Sequence, residues 1–223
     1  WITYRGKHGG LTHGYGSGDD QFGPELNFGH VVGDELEAPV LIIKAAWGGR
    51  ALAGSFLPPS SMPSDAEFEK QAKELNAANA KWNKEQAARV EADTQKITEE
   101  NKTADQKKKL KTFKPRPEVT TAEYKEQFGS DYREMVRLTH ETLGSHDTLF
   151  PTYQGQGYEM AGVVWFQGWN DQYQDRWLSY EQNMANFIRD LRKEFKAPGM
   201  PFVIGQMGHD GAKPDKEDSP RAI

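Results

Sequence analysis

The 223-residue chain contains no cysteine, which removes disulfides, thiolate nucleophiles and cysteine metal sites and leaves the redox compartment undecided. It also lacks any apolar run near the roughly 18 residues that a membrane span needs. The most apolar segment, Val40 to Trp47, is short and contains Lys44, so no membrane partner is expected. Basic charge is not in excess either. With 28 Lys/Arg against 33 Asp/Glu the net charge is -5 and the pI is near 5.7, which offers no field for a nucleic-acid backbone. The Lys-rich stretch Lys107 to Lys111 is offset by nearby acids, and no nucleic-acid partner is expected. The chain opens at Trp1 with no initiator Met and no charged-then-apolar leader, as expected of an internal fragment or a mature product.

Glycine is missing from one region only. The chain has 22 glycines and none between Ser55 and Phe128, while Asp65 to Lys125 carries 14 Lys/Arg and 12 Asp/Glu. Ser64 or Asp65 can cap a helix start there, and Phe68, Ala72, Leu75, Trp82, Val90 and Ile97 form one narrow apolar stripe at helical spacings. A long helix is expected, then a second helical piece from about Ala104 to Leu110, until Lys114-Pro115-Arg116-Pro117 ends it. So thin a stripe buries too little to fold alone. The expectation is one domain, residues 1–63 and 118–223, interrupted by a hairpin-like helical insertion over 64–117.

The flanks read as alternating strands and helices. Pro39 to Ala46 is an apolar, β-branched run, and Met160 to Phe166 and Phe202 to Ile204 share its character. Strands apolar on both faces belong in a parallel sheet covered by helices. Helices are expected over Pro24 to Leu36, Thr121 to Leu143 and Arg176 to Phe195, the last with Trp177, Tyr180, Met184, Phe187, Ile188 and Leu191 on one face. The order helix, strand, helix, strand, helix, strand fits a doubly wound α/β sandwich.

In such sheets ligands bind beyond the carboxyl edge of the strands. Val40 to Ala46 exits into Trp47-Gly48-Gly49-Arg50, and Met160 to Phe166 into Gln167-Gly168-Trp169-Asn170-Asp171. Parallel strands put both loops on one edge, where the N–H groups of Gly48 and Gly49 and the amide of Asn170 can face one space. Glycine donors beside a carboxamide suit an oxyanion hole. The structural alternatives are a tight turn at Gly48-Gly49 and a helix N-cap at Asn170-Asp171.

Gly168-Trp169-Asn170-Asp171 matches the GxND block of the SGNH hydrolases, and Ala46-Trp47-Gly48-Gly49 the position of their glycine block. Phe22-Gly23-Pro24-Glu25, Lys44 to Gly49, Pro58-Pro59-Ser60-Ser61 and Val164 to Gly168 together resemble the sialate O-acetylesterase-like branch of carbohydrate esterases. The resemblance covers roughly Trp1 to Pro63 and Asp131 to Gly211. It implies a three-layer α/β/α flavodoxin-like sandwich, an O-acetylated carbohydrate substrate, a serine acyl-enzyme, no cofactor and no metal, and favours a secreted or periplasmic location.

Three departures stand out. The family's Gly-Gln-Ser-Asn type block, which carries its nucleophile, is absent. None of His8, His13, His30, His140, His146 or His209 has an Asp three residues before it, and Trp169 stands where many members carry Glu. The catalytic serine and the Asp/His pair are therefore expected outside this sequence. Ser17, in Gly16-Ser17-Gly18, lacks the glycine offsets of a nucleophile elbow. Gln167, Trp169, Arg50 and His209 are candidates for substrate contact, with Arg50 equally able to pair with an acid. The competing class is a non-catalytic carbohydrate-binding or scaffold protein with the insertion as its interaction surface.

Overall fold

The computed structural model describes residues 1–103, 108–150 and 153–206. The chain is α/β, with six α-helices and five short strands among the described residues, and it divides into two compact units, Trp1–Ser61 with Phe128–Ile223 and Met62–Gln127.

In the first unit, strands β1 (Ile2–Tyr4) and β2 (Lys7–Gly9) form an antiparallel hairpin. Arg5 and Gly6 both have positive φ, as the two central residues of a type I′ turn must. Helix α1 (Glu25–Glu35) follows, and then β3 (Ile42–Ile43), which pairs in parallel with β1. The expected strand Val40 to Ala46 is thus confined to two ladder residues, with Ile42 N–H donating to Trp1 and Lys44 N–H to Thr3. Ile2, Tyr4 and Tyr15 are its buried core, with Leu11, Ile42 and Ala46 against them. A second sheet pairs β4 (Val163–Trp165) in parallel with β5 (Phe202–Ile204). The described strands therefore lie in a mixed three-stranded sheet and a parallel pair.

Helices α4 (Ser130–Gly144), α5 (His146–Leu149) and α6 (Tyr180–Glu194) complete this unit. The apolar face of α6 does what its spacing dictates: Met184, Phe187 and Leu191 join Leu52, Phe56, Tyr132, Trp165 and Met200 in the main core. Phe56 meets Trp165 edge-on at 5.1 Å, and Tyr132 meets Phe187 at 5.6 Å. The helix expected from Arg176 opens as a separate 3-10 turn, Arg176–Ser179. The expected helix Thr121 to Leu143 is two helices, because Gly129 takes the left-handed conformation and its N–H donates to Gly54, a geometry no helix interior tolerates.

The second unit is built on helix α2 (Asp65–Glu100), capped by Ser64, whose hydroxyl accepts from Glu67 N–H. Phe68, Ala72 and Asn79 are its buried residues. Helix α3 (Thr121–Glu126) starts with a capping box between Thr120 and Glu123. Of the expected second helical piece, residues 104–107 lie outside the described residues and Lys108 to Leu110 are not helical. The chain returns along α2 in irregular, extended form because asparagines hold its backbone. Asn76, Asn83 and Asn101 each exchange two hydrogen bonds with Val119, Arg116 and Lys108 respectively, and Asn79 donates to Pro117 at 3.3 Å. Pro115 and Pro117 exclude a helix here, and Arg116 stacks over Trp82 at 4.1 Å.

Candidate functional site

The loop after β3 and the loop after β4 meet. Gly49 has φ +74, and a β-carbon placed on it would stand 3.8 Å from Asn170 Nδ2. Glycine at 49 therefore adopts a left-handed backbone that side chains resist, within van der Waals reach of the Asn170 amide. Gly48 faces open space. Gly48, Gly49 and Arg50 are exposed and Asn170 is half-buried. Among the described residues the Asn170 side chain has no hydrogen-bond partner. Neither Asn170 nor Asp171 caps a helix, since the 3-10 turns Trp169–Gln172 and Arg176–Ser179 both begin without a side-chain cap. Beyond the first turn the backbone bends through two consecutive left-handed residues, Gln174 and Asp175.

Asp171 is the residue that sequence reasoning passed over. It is fully buried, with Oδ2 accepting from Leu52 N–H at 2.8 Å and Oδ1 from Ala53 N–H at 2.9 Å. Gln167 Nε2 donates to Asp171 Oδ2 at 2.7 Å, within its own loop, and to the Arg50 carbonyl at 2.8 Å, across to the other loop. Tyr180 continues the network: its hydroxyl accepts from Trp165 Nε1 at 3.1 Å and donates to the Gln167 carbonyl at 2.8 Å. Burial raises the Tyr180 phenol above its ordinary value, the Trp165 bond opposes this, and the charge of Asp171 adds to it. The available signal was Asp171 itself, an acid directly after the amide in a loop following an apolar strand.

Trp169 is 50% exposed beside Asn170. Arg50 Nε lies 3.2 Å from Asp131 Oδ2, and only 10% of the Asp131 side chain is accessible. Trp47 packs on Phe56 at 5.8 Å, and His209 lies outside the described residues. The Ser17 hydroxyl is bonded to Gln21, whose carbonyl accepts from Gly14 and Gly16 N–H, a closed polar turn. Among the described residues no cluster of His, Asp or Glu could hold a metal, and no helix is long and apolar enough to cross a membrane.

The remaining motifs also find partners. Glu25 Oε1 accepts from Gly23 N–H at 2.9 Å and from Lys44 Nζ at 2.7 Å. Asp190 on α6 accepts from the N–H and hydroxyl of Ser60 at 2.8 and 2.6 Å, and Asn186 donates to the Ser61 hydroxyl at 2.8 Å.

Residues 116–221 match the family model described as carbohydrate esterase, sialic acid-specific acetylesterase, so the resemblance carried by the motifs holds over this part of the chain, which includes Asn170 and Asp171. No curated protein and no solved structure matches the chain.

Proposed function

We propose that the chain is part of a carbohydrate O-acetylesterase and supplies its oxyanion hole, with the N–H groups of Gly48 and Gly49 and the Asn170 side chain as donors. One observation carries this reading. A half-buried amide with no hydrogen-bond partner among the described residues faces a left-handed glycine across two strand-end loops, and preorganised donors left open to a ligand are what a developing oxyanion needs. The family match to residues 116–221 supports an acetylated sugar as the substrate.

In the reaction a serine from outside this sequence attacks the acetyl carbonyl, assisted by an Asp/His pair also outside it. Negative charge moves onto the carbonyl oxygen, which Gly48, Gly49 and Asn170 receive, and collapse expels the sugar hydroxyl. Water then releases acetate through a second tetrahedral state at the same donors. Trp169, half exposed beside Asn170, is assigned to contact with the sugar, and Arg50, neutralised in part by Asp131, borders the site. Gln167 acts through the loops it joins, and His209 is assigned to substrate contact from the sequence. In this reading β1, β3, β4 and β5 belong to the parallel part of one sheet in a three-layer SGNH sandwich, with β2 as an antiparallel edge strand; the parallel pairings β1–β3 and β4–β5 support it.

The test uses the intact protein. Asn170→Ala is expected to lower kcat on an acetyl ester by on the order of 10²–10³ with KM little changed, because the donor acts on charge present only in the transition state. Near-normal kcat with a lowered denaturation midpoint removes Asn170 from the active site.

A further inference from the structure

We propose that Asp171 is the positioning residue of this site, the carboxylate that sets the distance between the Gly49 N–H and the Asn170 amide; this rests on the oxyanion reading above. Asp171 is next in sequence to Asn170, and its backbone partners, Leu52 and Ala53, lie just beyond Gly49 on the other loop. Leu52 N–H and Ala53 N–H donate to the carboxylate itself, and Gln167 bridges it to the Arg50 carbonyl. Two anchors on one loop therefore meet the Asp171 side chain of the other directly, and a third, the Arg50 carbonyl, meets it through Gln167.

The chemistry of the position selects aspartate. Two backbone N–H groups and one amide N–H point at two oxygens, and only an ionised carboxylate accepts at both. An asparagine would turn an amide group toward a donor, and a glutamate would force an extra methylene into a site with no accessible surface. The three described hydrogen bonds to Asp171 all come from neutral donors. Charge-assisted bonds of this kind hold geometry tightly. Gly48 and Gly49 are exposed and lack side chains that could fix them, so the carboxylate supplies rigidity that their own residues cannot. Displacement by about 1 Å costs on the order of 10²-fold in rate.

The isotope-labelled 223-residue chain gives a readout independent of activity. The parent should show a nuclear Overhauser contact between the Gly49 α-protons and the Asn170 side-chain amide, and slow exchange of the Leu52 and Ala53 amides. Asp171→Asn is expected to remove that contact, move the Gly49 amide signal, and speed Leu52 and Ala53 exchange at least about tenfold. Asp190→Asn, which breaks a comparable carboxylate tie to Ser60, should leave the Gly49 signal in place. A retained contact with an unmoved Gly49 signal overturns the proposal, because Asp171 is then only a local brace of residues 52 and 53. Should Asp171→Asn fail to fold, Gln167→Ala is judged by the same Gly49 criterion. In the intact enzyme Asp171→Asn should lower kcat about 10–100-fold at unchanged KM, and a raised KM with unchanged kcat overturns the positioning role. If Asn170→Ala leaves kcat normal, the esterase reading fails on its own while the Gly49 contact still decides the role of Asp171.

Discussion

Asn76 and Val119 read each other as two strands would: Asn76 Nδ2 donates to the Val119 carbonyl at 2.8 Å, and Val119 N–H donates to Asn76 Oδ1 at 3.0 Å. A carboxamide presents one donor and one acceptor in the spacing of a peptide group, so a helix bearing Asn76, Asn79 and Asn83 at three- and four-residue intervals can hold an extended chain along its side. The return segment thereby satisfies backbone groups that no sheet reaches.

Asn76→Ala should free both groups of Val119 at a cost of about 1–2 kcal/mol. Hydrogen exchange at the Val119 amide is expected to quicken by about tenfold, and proteolytic cleavage between residues 108 and 119 to quicken with it. Unchanged exchange would mean that the paired geometry contributes nothing to holding the segment.

What the sequence made legible follows from how local each signal is. The face of α6 and the Ser64 start of α2 could be read because periodicity and capping are local, and the loops carrying Gly49 and Asn170 because they end apolar strands. The β1–β2 hairpin was not legible, since Arg5-Gly6 lacks the Asn-Gly or Asp-Gly signal of its turn. The break at Gly129 was hidden by apolar spacing that runs across it. The asparagine row was hidden because its partners lie 33 to 43 residues away, and Asp171 because two of its three described partners are backbone groups well over one hundred positions earlier.

Two motifs of the family resemblance meet in one ion pair. Lys44 Nζ lies 2.7 Å from Glu25 Oε1, with 14% and 10% of the side chains accessible, and Lys44 also stands 4.7 Å above the Tyr4 ring. Lys44→Met alone should destabilise the fold by about 3 kcal/mol, because it strands a nearly buried carboxylate. Lys44→Met with Glu25→Leu should cost less than the sum of the two single changes. Additive losses in urea denaturation would show that the two charges are not coupled.

Residues Met62–Gln127 form a compact unit by the distribution of their own contacts, and we propose that this helical insertion is separable. Replacing Met62–Gln127 with a short Gly/Ser linker should leave the near-ultraviolet circular dichroism of Trp165 and its aromatic neighbours intact, since loop closure costs little at this length. Loss of that signal together with cooperative unfolding would make the insertion part of the core.

Tyr132 gives the fold an alkaline limit. It is buried against Phe187, and burial, reinforced by the negative charges of Asp190 and Glu194, holds its phenol far above the ordinary value of 10.0. A folded state that binds this proton more tightly than the unfolded chain keeps the full contribution below the unfolded value and loses it as pH rises beyond, toward the raised folded value. The urea midpoint should therefore be level with respect to this group up to about pH 9 and decline from about pH 10 upward. Tyr132→Phe removes the ionisation while keeping the ring, so its midpoint should decline less steeply over the same interval. An equally steep decline in the variant would assign the alkaline loss to other groups and leave Tyr132 as packing alone.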